Sequence, residues 1–394
     1  MQKKIFNGER LKSARQYRGL TTDELAKNIN ASKQSISQYE TGNKNPDFAR
    51  IAQIATALEF PTEYFMLRPR LSITPQSTYF RAQLTTSKKY RTEQIRKMEH
   101  LAYIYKIIAD YVEFPAYGLP DLSSHGETPE YLAQLVRNHL KIGNKPIQDI
   151  IPLLEERGVI ITSFLTGTDK IDAFSHRVKT EDDDVYIIAL SSNKESATRK
   201  HFDVAHELGH IIMHGWSEDV EALGREEFRI REKEANDFAA AFLLPRETFL
   251  LDVVAHPIDI DYYIQLKKKW KVSMSAMMMR AYHLEVITYN QYQYMMKTMQ
   301  KKGYRVHEPL DDKLVTAPPS MLKNALELLF DENIFDAKEF MQELVVQGLP
   351  MHSLEVEILL GLVEDYLRIP DEKLAKIIPF NLKTRQSTNL KEES

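Results

Sequence analysis

Two histidines four residues apart constrain this chain more than any other feature. The segment Val204-Ala-His206-Glu207-Leu-Gly-His210-Ile-Ile-Met-His214 carries the pattern His-Glu-x-x-His. Residues four apart share one face of an α-helix, so both imidazoles can reach one ion. Ile211, Ile212 and Met213 make one side of that helix apolar, which predicts a buried helix, and buried histidines need partners. Glu207, next to the first histidine, is placed to take a proton from an attacking water. Zinc suits this donor set, since it accepts imidazole and carboxylate ligands and has no redox chemistry of its own.

A third protein ligand is expected on the next helix, Arg229-Ile-Arg-Glu232-Lys-Glu234-Ala-Asn-Asp-Phe238-Ala-Ala-Ala-Phe242. Glu234, four residues before Phe238, is preferred. Glu232, about 200° around the helix from it, is expected in solvent. His214 is the rival, but three ligands on one straight helix cannot easily surround a tetrahedral ion. His214 is therefore expected to support His210 from behind.

The whole stretch Arg199-Lys-His-Phe202-Asp-Val-Ala-His206-Glu-Leu-Gly-His210, followed by Glu234-Ala-Asn-Asp-Phe-Ala-Ala-Ala-Phe-Leu-Leu-Pro245, resembles the ImmA/IrrE family of bacterial and phage metallopeptidases. Lys145-Pro-Ile147, Leu154-Glu155-x-x-Gly158-Val and Ile171-Asp-Ala-Phe-Ser175 add to the resemblance, which covers Pro129 to Pro245. It implies a thermolysin-like zinc site, with His206, His210 and Glu234 as ligands and Glu207 as base. It also implies a protein substrate, a repressor or regulator in a stress, phage or mobile-element response.

The N-terminal part reads differently. Gly8 to Tyr17, Thr22 onward, Ser32 to Gly42 and Asp47 to Leu58 have the capping residues and apolar spacing of four short helices. Leu20-Thr-Thr-Asp-Glu-Leu-Ala26 followed by Ser32-Lys-Gln-Ser-Ile-Ser-Gln-Tyr-Glu-Thr-Gly42 resembles the phage-repressor (Cro/C1, XRE) helix-turn-helix. In such a head the third helix enters the major groove of a double-stranded operator. Lys33, Gln34, Ser35 and Gln38 would meet bases and Lys44 phosphate. Met1 to Arg68 carries eleven Lys/Arg against seven Asp/Glu, a basic head on a chain of net charge −4. Such heads usually act as pairs, so a homodimer is expected.

The expected architecture is α+β and multidomain. Residues 1–68 form an all-α, lambda-repressor-like head, and 69–125 a linker with one amphipathic helix. Residues 126–300 form a zincin-like core with a small sheet, and 301–394 a helical region without a catalytic signature. Gly158 to Phe164, Ile171 to Ser175 and Asp184 to Leu190 are expected as three strands, the last two joined by a turn at Glu181 to Asp184; Leu71 to Gln76 is expected as linker. The chain has no cysteine, which excludes disulfides and thiolate zinc sites. No apolar run approaches the roughly 20 residues of a membrane helix, and a cytoplasmic protein is expected. Two other readings compete with a DNA-binding endopeptidase: a transcription factor whose zinc domain senses or docks without cutting, and a toxin–antitoxin component.

Overall fold

The computed structural model describes residues 6–71, 74–80, 87–164, 173–179, 184–192, 196–214 and 224–368. Residues 181–183 of the turn expected at Glu181 to Asp184, and the tail from 369 on, lie outside the described residues. The head comprises α1 (Gly8–Tyr17), α2 (Thr22–Asn28), α3 (Lys33–Glu40) and α4 (Phe48–Leu58). Its caps are those the sequence suggests. Thr21 and Glu24 form a capping box, Ser32 accepts from Ser35 N, and Asp47 accepts from Arg50 N. Leu11, Leu25, Ala26, Ile36, Ile54 and Leu58 fill the centre of the head.

The segment expected as linker is a strand, β1 (Thr74–Phe80), leading in sequence to the long helix α5 (Lys88–Ala109). After α6 (Pro129–His139) and α7 (Ile150–Glu155) come β2 (Ile160–Phe164), β3 (Ala173–Lys179) and β4 (Asp184–Ser191). The sheet thus has four strands, in the order β1-β3-β4-β2. β3 runs antiparallel to both β1 and β4, and β2 runs parallel to β4. The strand expected at Ile171 begins, among the described residues, at Ala173.

Alternate residues of the sheet face two cores, as the two-residue period of a strand requires. Ile161, Ala173, Ile188 and Leu190 pack with α8 (Ala197–Met213), α9 (Arg225–Leu243), α10 (Arg246–Val253), α11 (Ile260–Trp270), α12 (Met274–His283) and α13 (Tyr289–Lys301). Ile160, Phe174, Val178, Ile187 and Ala189 face the opposite way, onto α5, α14 (Met321–Asp331), α15 (Ala337–Val346) and α16 (Ser353–Leu360).

This second core continues without a break into the head, through Tyr17, Phe60, Tyr64 and Leu101. Polar ties cross the same seam. Tyr17 Oη donates to Glu355 at 2.9 Å, Arg18 pairs with Glu355 at 2.5 Å, and Lys89 pairs with Glu24 at 2.7 Å. His100 of α5 is buried between the Arg96 carbonyl at 2.7 Å and the Tyr64 hydroxyl at 3.0 Å. Among the described residues no helix is long and apolar enough to cross a membrane.

Candidate metal centre and nucleic-acid interface

α8 is buried along nearly its whole length, and His206, Glu207 and His210 are inaccessible to solvent. Gly209 sets how closely α9 can approach it. A Cβ at that position would lie 3.2 Å from Ala235 Cα and 3.2 Å from the Phe238 ring. The bare glycine therefore lets the two helices close up at the level of the histidines.

The acid this brings to the histidine pair is Glu232, not Glu234. Glu232 Oε1 lies 3.2 Å from His210 Nε2, and its Oε2 lies 3.5 Å from His206 Nε2. The two Nε2 atoms are 3.1 Å apart. Glu234 instead sits 44% exposed and faces His214, with Oε2 3.1 Å from Nε2. The expectation of Glu234 beside the pair is corrected by the full buried stripe of α9. Phe228, Ala235, Ala239 and Phe242 define its centre, which lies about 50° from Glu232 and about 110° from Glu234 at 100° per residue. Phe238 alone is the flank of that stripe, and measuring from it misassigns the inward acid.

Two imidazole nitrogens and a carboxylate, all within 4.8 Å of one another, are the only such trio among the described residues. Zinc–ligand bonds of about 2.0–2.2 Å imply about 3.4 Å between neighbouring ligand atoms of a tetrahedron. The observed 3.1, 3.2 and 3.5 Å fit that spacing. Charge fits as well. Burial pushes the Glu232 carboxyl up, but contact with both imidazoles outweighs it and holds the group at about 2. Burial pushes His210 down to about 4 against the pull of Glu232, so the ring is neutral at neutral pH with a lone pair to offer.

Behind His210 runs a file of hydrogen-bonding groups. His210 Nδ1 is 2.9 Å from His214 Nδ1, and His214 Nε2 is 3.1 Å from Glu234. One proton arrangement satisfies the file with the His210 Nε2 lone pair turned to the centre. His210 Nδ1–H donates to His214 Nδ1, and His214 Nε2–H donates to Glu234. His214 thus lies behind His210, against its Nδ1. On the other side Ser175 Oγ of β3 donates to Glu207 Oε2 at 2.7 Å. Sequence reasoning placed Ser175 at the end of an expected strand and within the resemblance, and gave it no role at the site. Its one available signal was that it is a small polar residue two positions after Ala173, on the same face of the strand.

In the head, Lys33, Gln34 and Lys44 are exposed, and Gln38 and Ser35 are half-buried. Ser35 is held by the cap, its Oγ 2.8 Å from Ser32 Oγ. Ser37, not singled out from sequence, is exposed on the same helix. Tyr39 is buried, and Glu40 pairs with Arg15 at 2.5 Å, so both serve the head's interior.

Comparison with known proteins agrees with this division. Residues 8–70 match a helix-turn-helix domain, and residues 155–282 match the IrrE N-terminal-like domain. The chain joins a repressor-type DNA-binding head to an IrrE-like, metallopeptidase-type domain. The chain is also 27% identical, over 143 residues, to the HTH-type transcriptional regulator ImmR of Bacillus subtilis (strain 168), covering 36% of this chain and 94% of that protein. The IrrE-like match includes β2, β3, β4, α8 and α9, and so every residue of the histidine–glutamate centre.

Proposed function

We propose that this protein is a DNA-binding transcriptional regulator whose IrrE-like domain is a zinc-dependent endopeptidase, acting on a repressor or regulator protein. The observation that carries the reading is the convergence of His206, His210 and Glu232 at tetrahedral spacing, with Glu207 adjacent. His206, His210 and Glu232 would hold the ion, and His214 with Glu234 fixes the ring of His210. Zinc in that position supplies a Lewis acid for the scissile carbonyl and makes water a better nucleophile at neutral pH. Glu207 takes the proton of the attacking water and passes it to the leaving amine. Ser175 keeps the carboxylate turned to that task by occupying one of its oxygens. Burial of His206, Glu207 and His210 strengthens the interactions among them.

The base separates this reading from a zinc domain that only senses or docks, because a purely structural centre has no use for Glu207. Glu207→Gln should keep about one zinc per chain and an unchanged fold, and lose cleavage of a protein encoded beside its gene. Equal cleavage by the parent and by Glu207→Gln would sink the peptidase mechanism and leave the metal centre standing.

A further inference from the structure

β1 occupies a particular edge of the sheet. In the order β1-β3-β4-β2, removing β1 would leave β3 as the outermost strand. β3 is the strand whose Ser175 donates to Glu207. The β1–β3 register places Thr78 opposite His176, Tyr79 opposite Ser175 and Phe80 opposite Phe174. Paired strands lie about 4.8 Å apart. The backbone at Tyr79 therefore runs one strand spacing from Ser175, along the flank of the proton-handling carboxylate. Extended peptides bind proteins by adding a strand to an open sheet edge through main-chain hydrogen bonds. A peptide paired to β3 at Ser175 would lie beside Glu207, on the edge that β1 covers.

The ladder of the covering strand is broken at one place. The strand contains Pro75, which has no N–H to give to a ladder, and its register with β3 shifts between Pro75 and Thr78. It also belongs, by sequence, to the segment between the DNA-binding head and α5, nearly a hundred residues before its partner.

We propose that β1 is a built-in occupant of the peptide-binding edge. The resting protein holds its own residues 74–80 where an extended substrate strand binds, and a substrate enters by displacing them. The partner this edge fits is an extended, main-chain-pairing segment antiparallel to β3. The proposal rests on the peptidase reading for what happens after binding, but not for the exchange of strands itself.

The test uses the full-length, zinc-loaded Glu207→Gln protein and a fluorescent peptide with the sequence of residues 74–83. In an antiparallel edge strand, alternate residues turn their N–H groups to the partner. Of Thr78→Pro and Tyr79→Pro, one removes a ladder bond and the other serves as its control. The ladder-breaking variant should bind the peptide at least about tenfold more tightly than the parent, which a loss of about 1.4 kcal/mol in strand pairing would give. Equal binding by the parent and both proline variants would overturn the proposal. Hydrogen exchange on the unsubstituted chain gives a measure free of any folding defect. Saturating peptide should strip protection from the β1 amides while those of β3 stay protected, and undiminished protection of β1 would overturn the proposal. Strand exchange without zinc-dependent cutting in the chain with Glu207 would remove the peptidase reading alone. Cutting with β1 still protected would remove the strand proposal alone.

Discussion

Glu232 and Glu234 stand two residues apart on α9 and serve different neighbours, and zinc affinity should tell them apart. If Glu232 is the third ligand, as proposed, Glu232→Ala should abolish stoichiometric zinc. Glu234→Ala removes only the far end of the file through His214, and should weaken zinc by about 10–100-fold while leaving a measurable site. Competition with a chelator of known affinity reads both; full occupancy in Glu232→Ala would refute the ligand set. A second prediction concerns acid. Burial pushes His100 down to about 3, and His176 and His201 to about 4, with nearby arginines adding to the effect at His100. These folded-state values lie below the ordinary 6.5 of an unfolded histidine, so the unfolded chain takes up protons first. The stability they represent is complete above about pH 6.5 and is lost as pH falls toward 4, by about 1.4 kcal/mol per pH unit for each group. Thermal unfolding from pH 7.5 to 4.5 should show the decline, and His100→Gln should make it shallower. An unchanged slope would mean that His100 is not held neutral.

α3 is the element whose role can be tested most directly. Its outer residues are open to solvent while its inner ones, Ile36 and Tyr39, are fixed in the head. The triple change Lys33→Ala, Gln34→Ala and Gln38→Ala should abolish footprinting of an operator near the gene without lowering the melting temperature of the protein; each lost bidentate base contact costs about 1–3 kcal/mol. Unchanged protection would make the head a protein-docking module. The four head helices were legible in the sequence because capping residues and a 3.6-residue period are local signals, carried by the segment itself, and α8 and α9 were legible by their residue spacing alone. β1 was not. Thr74-Pro-Gln-Ser-Thr-Tyr-Phe80 has a proline and little apolar alternation, and it becomes a strand only by pairing with residues far along the chain. Of the candidate centre, the histidine pair and its base could be read because they lie within a single turn. The third ligand depended on the rotation of a second helix, and that rotation is set by the whole buried stripe from Phe228 to Phe242, not by one aromatic residue.

At the scale of the molecule, the head and the C-terminal helices meet through Glu355, which receives both Tyr17 and Arg18. Hydrogen bonds to a charged partner are worth about 1.5–3 kcal/mol, so Glu355→Ala should destabilise the chain by about that amount. It should also speed hydrogen exchange in α1, with the zinc content unchanged. An α1 that exchanges no faster would show that the apolar seam alone holds the head. The sequence suggested four successive domains. The apolar interior instead runs from Leu11 and Tyr17 through α5 to one face of the sheet and on to α14 and α16. A recombination that exchanged residues 1–68 for those of another repressor would set foreign side chains against His100, Leu101 and Glu355, and the hybrid should melt below the parent. A change of operator specificity that spares this seam is one made on the outward side of α3, and a change of Tyr17 or Arg18 in α1 calls for a matching change in α5 or α16.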